Sequence, residues 1–513
     1  MSHERTPQSP GTTSTSIASG HLSEFGYSQV LERRTSRFAS FAVAFAFVSI
    51  ATGTFTTYGA VLNSSGPLGI WTWPLVVVGQ LAVALVFGCL AARIPLTGCS
   101  YQWMSRLASP VLGWFTGWIT FTFLVVVAVA VDYTIASTLL PALFGYSGTP
   151  AEAWAITAAV LVLQAALVAF STRWTERVNN VAVTAELVGM ILLVVLVLVV
   201  GAVRGQLSGE ALFSKGGVPA EGYFSFGSMT EPGPWVLAFL LGAFTIVGFE
   251  SAANLAEETE DPEVVVPRAM WQAVLASGVL GFLFLVAIAA ATPDPIALAT
   301  SATPVADVIQ HVLGSYVGSA LLVLVTLAVF ACGLVITMTG VRLVWAMSRD
   351  ERFPGHRALS TIDAATGTPR NATVLFLLVT QCVLAVFAVQ TNALFSLFSA
   401  ATLLPAVLYL AVVIMYAVKR RQLPPTAGFS LGRAETPVIV LALVWLVFEL
   451  SIFRGPSFRD PWLYVLGMTA LGALYLGWLL YRRGAGGLAM PSTTTVEEAR
   501  QSSTAAGDAA PRA

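Results

Sequence analysis

The residues of this chain that could handle a polar solute gather in two short stretches. One runs from Trp235 to Met270, WVLAFLLGAFTIVGFESAANLAEETEDPEVVVPRAM. It begins as an apolar helix, and Gly248 and Glu250 then interrupt the apolar run. A continuous membrane helix has no use for a glycine and an acid at mid-depth. A broken helix does, because its freed N–H and C=O groups must line a protected cavity, where they can bind a polar solute. Val247, Gly248, Phe249 and Glu250 are therefore candidate solute contacts. The other stretch is Ser49–Thr57, where Thr52, Gly53, Thr54, Thr56 and Thr57 crowd together. Threonine and glycine weaken a helix through lost backbone entropy and competing side-chain hydrogen bonds. Taken alone, this stretch reads equally well as a polar helix facing a bundle.

Ionisable groups inside apolar runs are costly and point to function by default. Asp132 lies late in one such run, either pairing a solute amine or solvated at the run's end. Glu186 is alone in an apolar helix, where it could exchange a proton with two aqueous faces in turn or hold a fixed interhelical hydrogen bond. Glu449 falls near the end of a later run. The acids Glu257, Glu258, Glu260 and Asp261 read either as a solvated cluster or as an inner gate. The gate would pair Glu257 and Glu258 with arginines of neighbouring loops, Arg93 or Arg349.

Composition fixes the elements that must position these groups. Of 513 residues, 56 % are hydrophobic and 10 % charged, against about 25 % charged in a soluble domain. The chain is a polytopic all-α membrane protein, with the lipid bilayer as its solvent. Its net charge of −1 gives no field suited to nucleic acid. Twelve apolar runs fall at about 38–62, 70–92, 111–140, 151–171, 180–203, 235–256, 268–291, 316–345, 371–390, 393–418, 436–453 and 461–481, most of them long enough to span a bilayer. With the N-terminus inside, the outer segments hold only Arg204, Lys215, Arg454 and Arg459 of the 26 basic residues. That bias satisfies the positive-inside rule and places both termini in the cytoplasm. Residues 1–37 divide into a Ser/Thr/Gly/Pro-rich disordered tail and an interfacial segment. Residues 38–481 form the transmembrane domain, and residues 482–513 a second disordered tail. Trp71, Trp73, Trp103, Trp114, Trp118 and Trp235 sit near predicted interfaces, as belt anchors do. The four cysteines read as free thiols, and the four histidines have no metal spacing.

The two weak stretches fall in runs 1 and 6. An interval of five spans is odd, so the second unit enters the membrane from the opposite side. This is the signature of an inverted repeat, spans 1–5 against 6–10, with a site at the midplane and spans 11 and 12 outside.

Four segments carry a family resemblance: FGYSQVLERR before span 1, PLTGCSYQW after span 2, GFESAANLAEETEDPEVVVPRAM in span 6 and TGVRLVWAMSRDERFPGH at the end of span 8. Together they resemble the amino acid–polyamine–organocation transporter superfamily, and within it the amino acid/choline transporter family, over residues 24 to 481. Cys99 stands where the superfamily loop has a second glycine. The resemblance implies alternating access around a solute whose carboxylate sits at Thr52, Gly53 and Thr54. The solute's amino group would meet carbonyls at Val247 and Gly248, with Phe244 as an aromatic gate. A half-helix N-terminus attracts an anion and freed carbonyls attract a cation, which fits that assignment. Many relatives carry a lysine near Glu186, so the acid there is a departure.

The expected activity is secondary transport of a small amino-bearing solute, an amino acid or a compound such as GABA, and not enzymatic. Choline or polyamine transport on the same fold is the alternative, and a channel or a non-transporting receptor the alternative from another class. No cofactor is expected; the drive would be an ion gradient, a proton in preference to sodium. The absence of a Walker sequence argues against an ATP-driven pump. The setting would be the plasma membrane. The excess of arginine over lysine, with abundant Ala, Gly and Val, suggests a bacterial source.

Overall fold

The computed structural model describes residues 22, 25–27, 30, 31, 33–145, 149–387, 393–423, 426, 428–484 and 488. The expected disordered tails fall almost entirely outside these residues. Among the described residues, helices are joined by loops and there are no strands beyond two isolated bridges. Twelve helices are long and apolar enough to cross a membrane: Arg37–Ser65, Pro67–Arg93, Pro110–Phe144, Pro150–Phe170, Trp174–Val203, Pro234–Glu258, Pro262–Ala290, Ser315–Arg349, Arg370–Phe387, Phe395–Gln422, Gly432–Ile452 and Pro456–Arg483. Each overlaps one of the apolar runs, and they are spans 1 to 12 in that order.

Local chemistry sets several of the starts. Ser36 and Ser109 accept hydrogen bonds from the backbone N–H groups of Ala39 and Leu112. Thr149 and Glu152 cap span 4 reciprocally. Proline begins spans 2, 3, 4, 6, 7 and 12, where its missing N–H costs nothing.

Spans 1 and 6 are the most buried and span 12 the least. Both buried spans are broken. Span 1 is Arg37–Val48 and Ile50–Ser65, interrupted at Ser49, whose φ of 29° lies outside the helical range. Span 6 is Pro234–Thr245, then a non-helical link at Ile246 and Val247, then 3₁₀ helix over Phe249–Glu258, kinked at Leu255. Gly248 joins the link to the 3₁₀ helix at φ 77°. The first half of span 1 packs on the second half of span 6, and the second half of span 1 on the first half of span 6. The two broken spans therefore lie side by side and antiparallel. Span 7 covers span 2 and the first half of span 1, while span 8 packs on spans 3 and 5. Span 10 packs on span 3, and span 11 on spans 2 and 10.

Several tryptophans differ from expectation. Trp73, Trp103 and Trp114 are fully buried, each donating its indole N–H to a backbone carbonyl, of Gly278, Ile94 and Arg352 respectively. They are packing anchors inside the bundle and not belt residues. The turn containing Cys99 keeps a glycine-like backbone without the glycine: Gly98 has φ 103° and Cys99 φ 43°. All four cysteines are free thiols, and Cys382 is the exposed one.

Candidate functional site

The break in span 1 is centred on Ser49, just before the threonine cluster. Ser49 caps the second half-helix: its Oγ accepts from the Thr52 N–H at 3.3 Å and from the Thr52 hydroxyl at 2.9 Å. The Ser49 hydroxyl in turn donates to Glu186 Oε1 at 3.2 Å. Glu186, on span 5, is thus fastened to the break, and its other oxygen has no partner among the described residues. The threonine hydroxyls turn back on their own helix: Thr54 donates to the Ile50 carbonyl, Thr56 to Thr52 and Thr57 to Gly53. Gly53 marks a close approach of helices, since a side chain there would run into Thr245 of span 6.

At the span 6 break, Gly248 is required twice over. Its positive φ disfavours other residues, and a Cβ would collide with the Phe47 ring. Tyr409 of span 10 bridges this break. Its hydroxyl accepts from the Gly248 N–H at 2.9 Å and donates to Glu250 Oε2 at 2.5 Å. Ser251 ties the same segment to span 1 by donating to the Val43 carbonyl. Thr52, Thr54, Val247, Phe249 and Glu250 are all buried between spans.

Asp132 is not solvated at the end of its span. Span 3 continues through a π-turn at Ile135–Leu139 to Phe144, which leaves Asp132 fully buried. Gln164 of span 4 donates to its Oδ1 at 2.8 Å and also to the Phe330 carbonyl of span 8. Glu449 is likewise buried, accepting from Gln80 of span 2 at 3.3 Å.

The basic residues divide the two ends of the bundle. At the arginine-rich end the acidic cluster splits. Glu260 and Asp261 are exposed, whereas Glu257 and Glu258 are buried. Arg349 grips Glu257 with two bonds, 2.8 and 3.1 Å, and Glu257 also accepts from the Thr97 N–H at 3.0 Å. Arg342 holds Glu258 at 3.0 Å. Arg93 pairs with neither acid; it donates to the Tyr416 hydroxyl, which donates to Glu435. Both acids of these pairs are buried, and Arg342 is the partner that loop-based reasoning passed over, because it lies a turn and more inside span 8.

The segment before span 1 closes over this end. Tyr27 is buried, its ring lies 4.1 Å from the Arg349 guanidinium, and its hydroxyl donates to Asp350. Burial, and then the Asp350 carboxylate, push the Tyr27 phenol above its ordinary range, so it remains a donor. The N–H groups of Arg34 and Thr35 both reach the Glu258 carbonyl at 2.9 Å. This segment is a seal built into the bundle and not a helix resting on the membrane surface.

At the arginine-poor end a cavity of about 840 Å³ descends between spans 1, 3, 6 and 10. Its deep wall includes Thr56, Thr57, Phe244, Phe398 and Thr402, and its mouth includes Glu231 and Ser457. Phe244 and Phe398 meet edge to face at 4.7 Å. Of the residues expected to contact solute, Phe244 is the one found among the cavity's described lining. The break residues lie beyond it, toward the sealed end.

The profile of the amino acid permease family matches residues 36–471, so the chain belongs to that family. It is 27 % identical over 459 residues to an uncharacterized amino-acid permease of Schizosaccharomyces pombe, covering 85 % of this chain and 82 % of the relative. It is 25 % identical over 459 residues to amino-acid permease BAT1 of Arabidopsis thaliana, covering 85 % and 88 %. A thiamine transporter of S. pombe is 24 % identical over 484 residues, covering 85 % and 81 %. These relatives are eukaryotic and give no support to a bacterial source.

Proposed function

We propose that this multi-pass membrane protein is a secondary active transporter of amino acids or related amino compounds, the class that includes GABA, working by alternating access across the plasma membrane. The observation that carries the reading is the pairing of two broken spans, antiparallel and adjacent, between an open cavity and a closed, salt-bridged end. Broken helices leave backbone groups at mid-bundle for a zwitterion, and one sealed end with one open end is what alternating access requires. In this reading spans 1–5 and 6–10 are inverted repeats and both termini are cytoplasmic. The conformation is open to the outside, and a proton moving through Glu186 supplies the drive.

The deciding experiment is uptake into proteoliposomes holding the full chain, with labelled amino acids, GABA, choline, a polyamine and thiamine, under imposed proton and sodium gradients. Saturable, counterflow-stimulated uptake of an amino compound supports the carrier. Non-saturating flux would indicate a channel, and no flux of any solute a receptor. A second reading, transport of an organic cation, draws on the relative named a thiamine transporter and on the aromatic cavity wall. Uptake of thiamine or choline uncontested by amino acids would select it.

A further inference from the structure

We infer that the cavity at the arginine-poor end is itself a solute site, shaped for an amino-bearing solute that carries an aromatic or similarly bulky apolar ring. This rests on the carrier reading and narrows its substrate class.

The first observation is size. About 840 Å³ lies within the range of pockets that hold drug-sized ligands and far exceeds what a small linear amino compound fills. The second is the wall. Phe244, Phe395, Phe398, Phe458 and Tyr133 come from spans 6, 10, 12 and 3, and they converge on one space. In sequence they are scattered, and only Phe244 lies near a break. Leu237, Leu240 and Leu241 extend the apolar face. Such a wall rewards a ligand in proportion to the apolar surface it removes from water, and aromatic pairs contribute further. Glycine or GABA has almost no such surface to offer.

The third observation is charge. Among the described lining residues there is no Lys, Arg or His, while Glu231 stands at the mouth. A lone carboxylate there favours the amino group of an entering solute over a free carboxylate. Thr56, Thr57 and Thr402 already donate to carbonyls of their own helices, so with Ser399 they leave hydroxyl oxygens deep in the cavity to accept from an amino group. A ring-bearing amino compound would enter with its amino group past Glu231 and lay its ring against Phe244 and Phe398. Phe244 lies in the last turn of the first half of span 6, one residue before the helix ends at Thr245 and the non-helical link begins. Occupancy of the cavity is thereby connected to the element that must move.

The test uses the purified full-length chain, with phenylalanine, GABA and glycine as probes. Direct binding is measured by calorimetry in detergent, and uptake in proteoliposomes. Phenylalanine is expected to bind at least ten-fold more tightly than GABA or glycine. Ser399→Phe, which fills the cavity from its wall, is expected to weaken phenylalanine binding at least ten-fold with an unchanged thermal midpoint. Phe398→Ala serves as the second variant should Ser399→Phe fail to fold. GABA or glycine binding as tightly as phenylalanine would overturn the inference, as would phenylalanine binding insensitive to both variants. Phenylalanine bound but no solute transported would refute the carrier reading and leave the site standing. GABA transported with phenylalanine unbound would refute the site and leave the carrier standing.

Discussion

Arg349 and Glu257 form a two-point fork across the arginine-rich end, with nitrogen–oxygen distances of 2.8 and 3.1 Å and the carboxylate wholly buried. A buried pair behaves unlike a surface pair. Removing one partner strands the other charge in the interior, at about 3–5 kcal/mol. Arg349→Ala should therefore lower unfolding stability by about 3 kcal/mol, the lower part of that range because the arginine is partly exposed. Glu257→Gln, which keeps the shape but removes the charge, should weaken the closed end. A thiol reagent should then reach Cys99 faster. Thermal unfolding and reagent kinetics check both; unchanged values in both would remove the pair from the gate.

Gly53 and Thr245 make a second expected outcome. Gly53→Leu should abolish uptake, because the space beside Gly53 holds the Thr245 side chain. Gly53→Ala is the milder probe and should lower uptake. Adding Thr245→Gly opens the same space and should return most of the lost activity. A double variant no better than Gly53→Ala would show that crowding at this helix crossing is not the reason.

Among the described residues, Tyr409 is the side chain that binds both the Gly248 N–H and the Glu250 carboxyl. Tyr409→Phe keeps the ring and removes the hydroxyl, leaving a buried donor and a buried acceptor unsatisfied. The cost should be about 1–3 kcal/mol, with reduced uptake. Gly248→Ala should cost at least as much, since φ 77° and the Phe47 ring both oppose a methyl group. Thermal unfolding alongside uptake distinguishes a loosened break from a protein that no longer inserts.

Glu186→Gln separates coupling from structure. If this carboxyl carries the proton, the variant should still exchange solute for solute but fail to accumulate it under an inward proton gradient. Glutamine can still accept the Ser49 hydroxyl, so the cap on the second half-helix of span 1 should survive. Retained proton-driven accumulation would exclude Glu186 from coupling.

How legible the chain was depended on the range of the interaction concerned. All twelve spans were readable, because length and apolarity are properties of contiguous residues. The span 6 break was readable for the same reason, since Gly248 and Glu250 are local signals. The span 1 break falls on Ser49, the first residue of the stretch read as weak, and not among its threonines. Threonines seemed to be the disruptive residues, yet Thr54, Thr56 and Thr57 satisfy their hydroxyls on carbonyls of their own helix and leave it intact. The conformational departure falls on Ser49, a serine at positive φ that no composition rule singles out. Tyr409, Thr245, Arg342 and Gln164 were invisible because each acts on a residue of a different span. For Asp132 two settings stayed open, because Gln164, which holds it in the interior, lies on a different span.

The segment Phe249–Glu258 is 3₁₀ helix in two pieces, joined at Leu255, whose φ of −110° and ψ of 16° are not helical. A 3₁₀ helix rises about 2.0 Å per residue and an α-helix about 1.5 Å, so rewinding the two pieces would shorten the segment by roughly 4 Å. Glu257 and Glu258 ride on its far end. A contraction of that size exceeds the 2.8 and 3.0 Å separations at which Arg349 and Arg342 now hold them. The molecule would then carry a spring at its sealed end, with pitch as the moving part on either side of the Leu255 kink. Paired labels at Ile246 and Glu260 should draw closer when the end opens, and an unchanged separation would rule the spring out.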